Sequence, residues 1–177
     1  MEIIRIPTER VKNLIGEGGD TKKMLEKKCQ VKIEVDEEGE VHIEGDAIDE
    51  FFAKDVVKAV GRGFRAEDAM KLLAGNYNLL IIDLRDFLSS DKALKRIKAR
   101  VIGEKGKVKK EIEDATGSVL SIYGHTIGII SRMDSIEYAH AAIVKLLDGA
   151  PHSTVIRYLG KVRKKILSER LRNQGVQ

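Results

Sequence analysis

The stretch Lys95–Gly117 reads KRIKARVIGEKGKVKKEIEDATG. A basic run bearing Ile97, Val101 and Ile102 meets Gly103-Glu104-Lys105-Gly106, and a second run with helical spacing follows. From Lys92 to Lys110 nine residues are Lys or Arg and one, Glu104, is acidic. Helix, four-residue glycine turn and helix, with cations on both sides, suit a phosphate backbone. Glycine adopts backbone angles closed to other residues and lets a ligand's backbone come near. Gly106 opens a helix whose first N–H groups lack internal partners, so the positive end of its dipole faces the turn. Lys105, Lys107, Lys109 and Lys110 add attraction that gives affinity with little sequence preference.

One G-x-x-G is weak evidence, because with 16 Gly in 177 residues about one such pair arises by chance. Repetition raises it. Gly16 and Gly19 are the only other glycines at this spacing, 87 residues earlier, and IGEGGDTKKMLE (15–26) matches IGEKGKVKKEIE (102–113) at seven of twelve positions without a gap. The chain therefore reads as a duplication, with boundaries at 1–62, a helical linker at 63–76, a second copy at 77–150 and a basic helix and tail at 151–177.

The first copy opens with Ile4 and Ile6 alternating up to Pro7, then a helix from Thr8 striped by Val11, Leu14 and Ile15. After Gly16–Gly19, Asp20 or Thr21 is expected to cap a helix that ends near Lys28, with Met24 and Leu25 inward. Val31, Ile33 and Val35 alternate, DEEG turns, and Val41 and Ile43 alternate again, which predicts a hairpin with one wet face. Ile48, Phe51, Phe52, Val56, Ala59 and Val60 predict an amphipathic helix up to Gly61. The second copy repeats the order: a strand in YNLLIIDL, helices at 91–102 and 107–116, strands at 119–123 and 126–131 around Gly124-His125, and a helix at 135–147. Between the copies AEDAMKLL has its own apolar face of Phe64, Ala69, Leu72 and Leu73, so the linker is expected to pack and hold the copies together. In the tail, Val155, Tyr158, Leu159, Val162 and Ile166 stripe one face and Arg157, Lys161, Arg163, Lys164 and Lys165 the other.

Charge separates the copies. Residues 1–75 hold 13 Lys/Arg and 17 Asp/Glu, net −4, whereas residues 76–177 hold 19 and 11, net +8. The acids of the first copy crowd its hairpin, Glu34 to Glu44, an edge that repels phosphate. The second copy is therefore expected to supply most affinity for a polyanion, the first being a weaker binder or a protein-contact surface.

Other chemistries find little support. Cys29 is the single cysteine and reads as a small buried hydrophobe, and the four histidines lack ligand spacing, so neither a disulfide nor a metal is expected. Gly106-Lys107-Val108 lacks the spacing and hydroxyl of a nucleotide-binding P-loop, and no nucleophile motif occurs. Asp83, Asp86 and Asp91 lie near a strand end, where capping and turn roles explain them more cheaply than a nuclease metal. Aromatic residues make up 5% with no Trp, against an aromatic stacking platform. With no signal peptide and no apolar run of spanning length, a soluble, cytoplasmic, non-enzymatic protein is expected.

The order β-α-α-β-β-α with G-x-x-G between the first two helices resembles the KH domain in its eukaryotic-type arrangement. The resemblance implies an α+β fold: two tandem type I KH domains packed together, each with a GXXG loop, plus a C-terminal helix. It also implies a groove for about four unpaired nucleotides, floored by aliphatic side chains. In the second domain the RNA-binding residues would be Arg96, Ile97, Lys98, Arg100, Ile102, Gly103, Glu104, Lys105, Gly106, Lys107, Lys109, Lys110, Leu120 and Ile122, with Val101 and Val108 also in the floor. A weaker first-domain set would be Lys12, Ile15, Gly16, Glu17, Gly18, Gly19, Lys22, Lys23 and Ile33.

LLIIDLRDFL (79–88), RVIGEKGKVKKEIEDATG (100–117) and LLDGAPHSTVIRYLGKVRKK (146–165) further resemble the archaeal and eukaryotic KH-domain factors of small-ribosomal-subunit maturation. These are named as partners of the endonuclease that trims the 3′ end of the small-subunit rRNA. The resemblance implies binding to single-stranded pre-rRNA near that end, no cofactor, and the endonuclease or other assembly and translation proteins as partners. Its eukaryotic members imply a degenerate first loop. This chain instead keeps Gly16-Glu17-Gly18-Gly19, which suits an archaeal protein. A protein-binding assembly adaptor and a KH subunit of an RNA-degradation machinery are the alternatives.

Overall fold

Pro7 ends the first alternating run, so β1 (Glu2–Arg5) gives way directly to α1 (Thr8–Ile15) in the computed structural model, which describes residues 1–175. The last two positions of the expected tail, Val176 and Gln177, lie outside the described residues. The chain divides into two units, Met1–Leu79 and residues 80 onward.

In the first unit α2 (Asp20–Cys29) follows the glycine turn, then β2 (Lys32–Val35), β3 (Glu40–Glu44) and α3 (Ala47–Gly61). The strands are antiparallel in the order β1-β3-β2, with Ile4 opposite Val41 and Ile33 opposite Ile43. That register sets Val41, Ile43 and Ile33 on one face, fully buried, while Lys32, Glu34 and Glu44 stay exposed on the other. The core also takes Leu14 of α1, Leu25 of α2, and Ala53, Val56, Val57 and Val60 of α3. Ile48 and Phe51 differ from expectation: they are 72% and 63% exposed. At 3.6 residues per turn they fall on the side of α3 opposite the buried stripe. The linker's short α4 (Ala66–Ala69) and the 3₁₀ turn Met70–Ala74 pack on α3 and bury Phe64, Ala69 and Leu72.

The second unit repeats the plan. Its sheet has the order β4-β6-β5, formed by β4 (Tyr77–Asp83), β5 (Val119–Tyr123) and β6 (Thr126–Arg132). The helices are α5 (Asp91–Ile102), α6 (Lys107–Thr116) and α7 (Ile136–Leu147). Ser90 Oγ caps α5 by accepting the Ala93 N–H at 3.2 Å. Leu84, Val101, Ile112, Ile127, Ile129 and Ile143 form the centre of the core.

The tail is a 23-residue helix, α8 (His152–Gln174), laid along α6 and α7. Its buried residues are Val155, Leu159, Val162 and Ile166, each contributing about 2 kcal/mol through apolar burial, so the helix is docked. Among the described residues no helix is long and apolar enough to cross a membrane, and no group of three or more His, Cys, Asp or Glu could hold a metal ion.

Candidate nucleic-acid interface

Both glycine turns fold as a single 3₁₀ turn between two helices, Glu17–Gly19 in the first unit and Glu104–Gly106 in the second. Gly103 (φ 75°, ψ 175°) occupies backbone space open essentially to glycine alone. A Cβ there would strike the Val108 side chain and lie 2.8 Å from the Val108 nitrogen; at Gly16 it would strike Thr21 in the same way, 2.7 Å from its nitrogen. The first glycine of each turn is therefore demanded by the start of the next helix. Gly106 (φ 75°) has open space within 4 Å of its Cβ position, so the glycine at the fourth position of the turn leaves room for an approaching backbone. Lys105, at φ 53°, takes the left-handed conformation that Gly18 holds in the first turn.

Part of the expected donor set is used internally. The Gly106 N–H donates to Gly103 O at 3.2 Å and the Lys107 N–H to Glu104 O, with the same pairs at Gly19 and Asp20. No side chain caps α6 or α2, so Asp20 and Thr21 do not serve as the caps expected for α2. The positive ends of these helices are left facing the turns.

The cations divide into bound and free. Lys105, Lys107 and Lys110 are exposed at the second turn, with Arg96 exposed on α5. Lys109 instead lies 3.1 Å from Glu113, whose other contact is the Leu120 N–H at 2.8 Å. The first unit repeats this clamp residue for residue: Lys22 is 3.1 Å from Glu26, which accepts the Ile33 N–H at 2.9 Å. Burial works to raise the Glu26 carboxyl, and the Ile33 N–H and Lys22 outweigh it, so the group stays below its ordinary value. Lys98 reaches across to Gly124 O at 2.8 Å, and Arg100 donates to the Ala150 carbonyl. Lys22, Lys109, Lys98 and Arg100 thus position the strand, the hairpin turn and the start of α8. In the first unit Lys12 and Lys23 are exposed, as are Glu17, Gly18 and Glu104 of the turns.

Of the expected aliphatic floor, Ile97, Val101, Val108 and Leu120 are buried, at 6%, 0%, 5% and 3% exposure, and Ile33 is fully buried. They are core residues that shape the groove from beneath. Ile102 and Ile122 are half-buried, as are Ile15 and Val35 at the matching positions of the first unit. Sequence reasoning missed Val35 and the Glu26 and Glu113 clamps, although both glutamates stood among the repeated identities. Asp83 is held well below the usual carboxylate range by hydrogen bonds from the Arg85 side chain, and it caps the 3₁₀ turn after β4 by accepting the Arg85 N–H at 3.0 Å. It has the structural role expected of it.

Residues 78–164 match the model of the eukaryotic type KH-domain (KH-domain type I), and residues 1–59 match that of the KH domain. A KH domain-containing protein of Methanocaldococcus jannaschii is 42% identical over 171 residues, 94% of this chain and 75% of that protein. A crystal structure of an a/eIF2alpha–aDim2p–rRNA complex from Pyrococcus horikoshii holds a chain 42% identical to this one, with a TM-score of 0.86 over 93% of this chain and 94% of that one. The pre-rRNA-processing protein pno1 of Aspergillus fumigatus is 32% identical over 116 residues, and the match spans 46% of its length. With two type I KH folds in tandem and relatives matched along nearly the whole chain, this protein belongs to the PNO1/Dim2 family of KH-domain proteins.

Proposed function

We propose that the protein binds single-stranded RNA through the Gly103–Gly106 turn and the aliphatic surface of Ile102 and Ile122, and that its target is the 3′-end region of small-subunit pre-rRNA during ribosome biogenesis. The observation that carries this reading is the open space above Gly106, flanked by the uncapped start of α6 and by exposed Lys105, Lys107 and Lys110. One strand fits there, with its phosphates at the turn and its bases toward Ile102 and Ile122. The protein acts by holding RNA in the cytoplasm, and presents it to or shields it from the endonuclease that trims it. The complex of the Pyrococcus relative supports a protein of the a/eIF2alpha kind as a further partner.

The first unit has a second role in this reading. Its exposed Ile48 and Phe51, beside an acidic hairpin, fit a protein contact better than a phosphate.

The test is fluorescence anisotropy with a short RNA matching the small-subunit rRNA 3′ terminus, against a scrambled strand and a duplex of the same length. Preference for the matching strand, with affinity that falls as salt rises, is expected. Equal binding of all three RNAs, or binding indifferent to salt, contradicts the groove mechanism and favours the adaptor.

A further inference from the structure

The docked tail helix carries a second set of cations beside α6, the helix that the turn opens. Along α8 the contacts to the preceding segment advance in step: His152 Nε2 lies 3.1 Å from Arg100 O, Arg163 is 3.7 Å from Glu111, and Arg170 Nη2 stands 3.7 Å from the Cβ position of Gly117. The helix therefore runs beside α6 in the same direction, and its first turn meets the end of α5 that leads into Gly103–Gly106.

Its five midsection cations have different fates. Arg163 is turned toward α6 and paired with Glu111, and Lys165 lies over the Tyr138 ring of α7 at 5.2 Å. Arg157, Lys161 and Lys164 are exposed and have no acidic partner among the described residues. They follow each other at intervals of four and three, a single row about 10 Å long at 1.5 Å per residue. Between this row and α6 lie Ile156, 40% exposed, and Gly160, whose Cβ position has nothing within 4 Å. A shallow strip with a cationic border thus follows α8 away from the end of α5 at which the turn begins.

Resting on the RNA reading of that turn, we propose that α8 extends the site: a strand held at Gly103–Gly106 continues over Ile156 and Gly160, with its phosphates on Arg157, Lys161 and Lys164. The occupant is single-stranded RNA because the strip starts at the end of α5 that leads into the turn and because α8 carries no acid before Glu169. A KH groove alone clamps about four nucleotides. The addition makes the protein a reader of longer strands, with the extra affinity electrostatic and independent of sequence.

The experiment compares a four-nucleotide RNA with a ten-nucleotide RNA that contains it, on the full chain. Wild type should gain about tenfold or more in affinity on lengthening, at moderate salt. Arg157→Gln/Lys161→Gln/Lys164→Gln should lose most of that gain, and its log–log salt slope on the longer RNA should fall by about 2, the share of three phosphate contacts on a single strand. All three side chains are exposed, so an unchanged melting temperature is expected for the variant. Lys27→Gln/Lys28→Gln/Lys58→Gln removes equal charge elsewhere and should keep the gain. The proposal on α8 is overturned if wild type shows no gain, if the α8 variant keeps it, or if the control variant loses it equally. If wild type binds neither RNA, the reading of the turn falls first and this one with it.

Discussion

Gly16–Gly19 and Gly103–Gly106 have nearly the same backbone, with φ of 76°, 59° and 83° at Gly16, Gly18 and Gly19 against 75°, 53° and 75° at Gly103, Lys105 and Gly106. Each is followed by a helix whose Lys–Glu pair clamps the N–H of the next strand. What differs is the surroundings: the first turn sits in a half of net charge −4 that also carries an acidic hairpin, the second in a half of net charge +8. In the hairpin, Asp36 also closes the turn by accepting the N–H groups of Glu38 and Glu40 at 2.9 and 2.8 Å. Backbone geometry is thus common to the two copies, and the charge around it is what sets them apart.

The backbone should prove equally demanding in the two units. Gly103→Ala and Gly16→Ala each combine a glycine-only conformation with a clash against the next helix, and should destabilise their own unit by about 3 kcal/mol or more in denaturant unfolding. A large loss in one unit with none in the other would break the equivalence. The clamps come next. Glu113→Ala and Glu26→Ala should each cost about 1–3 kcal/mol, because a strand N–H loses a charged acceptor.

Acid titration sharpens the case of Glu26. Its folded pKa lies below the unfolded one, so its stabilisation is in place above the usual carboxylate range and is lost as pH falls through the folded value. The stability advantage of wild type over Glu26→Gln should shrink between about pH 6 and pH 3. An advantage that grows on acidification would contradict the clamp.

The smallest effect concerns the position after α2 and α6. Gln30 holds a left-handed conformation (φ 57°) where the second unit has Gly117 (φ 68°). Gln30→Gly should stabilise the first unit by about 0.5–1 kcal/mol, read as a rise in its melting temperature. A fall would mean that the Gln30 side chain contributes more than its backbone costs.

Periodicity and glycine spacing sufficed for most of the architecture: the turn at Gly103–Gly106, α5 from Asp91 to Ile102 and the hairpin at Gly124-His125 lie where the sequence places them. Ile48 and Phe51 escaped because intervals of three and four residues were satisfied without asking whether they share a face with Val56 and Val60. The site was legible as a backbone and less so as side chains. Lys98, Lys109 and Arg100 count as cations in the sequence, and only the fold shows that each meets a carbonyl or a carboxylate. Ile97 and Leu120 were inseparable from Ile102 and Ile122, because an apolar residue beneath a groove and one on its surface have the same chemistry. The repeated Lys22–Glu26 and Lys109–Glu113 pairs were visible as identities, but their strand partners come from chain reversal.

The central claim is that the second turn carries most of the RNA affinity. Glu104→Asp/Lys105→Asp and Glu17→Asp/Gly18→Asp put acids into either turn while keeping its flanking glycines, and Asp tolerates the left-handed position better than most residues. Binding of the rRNA 3′-terminal strand by wild type and both variants is the direct measurement. A loss of about tenfold or more confined to the second-turn variant is expected; equal losses in both variants, or binding untouched by either, would contradict it.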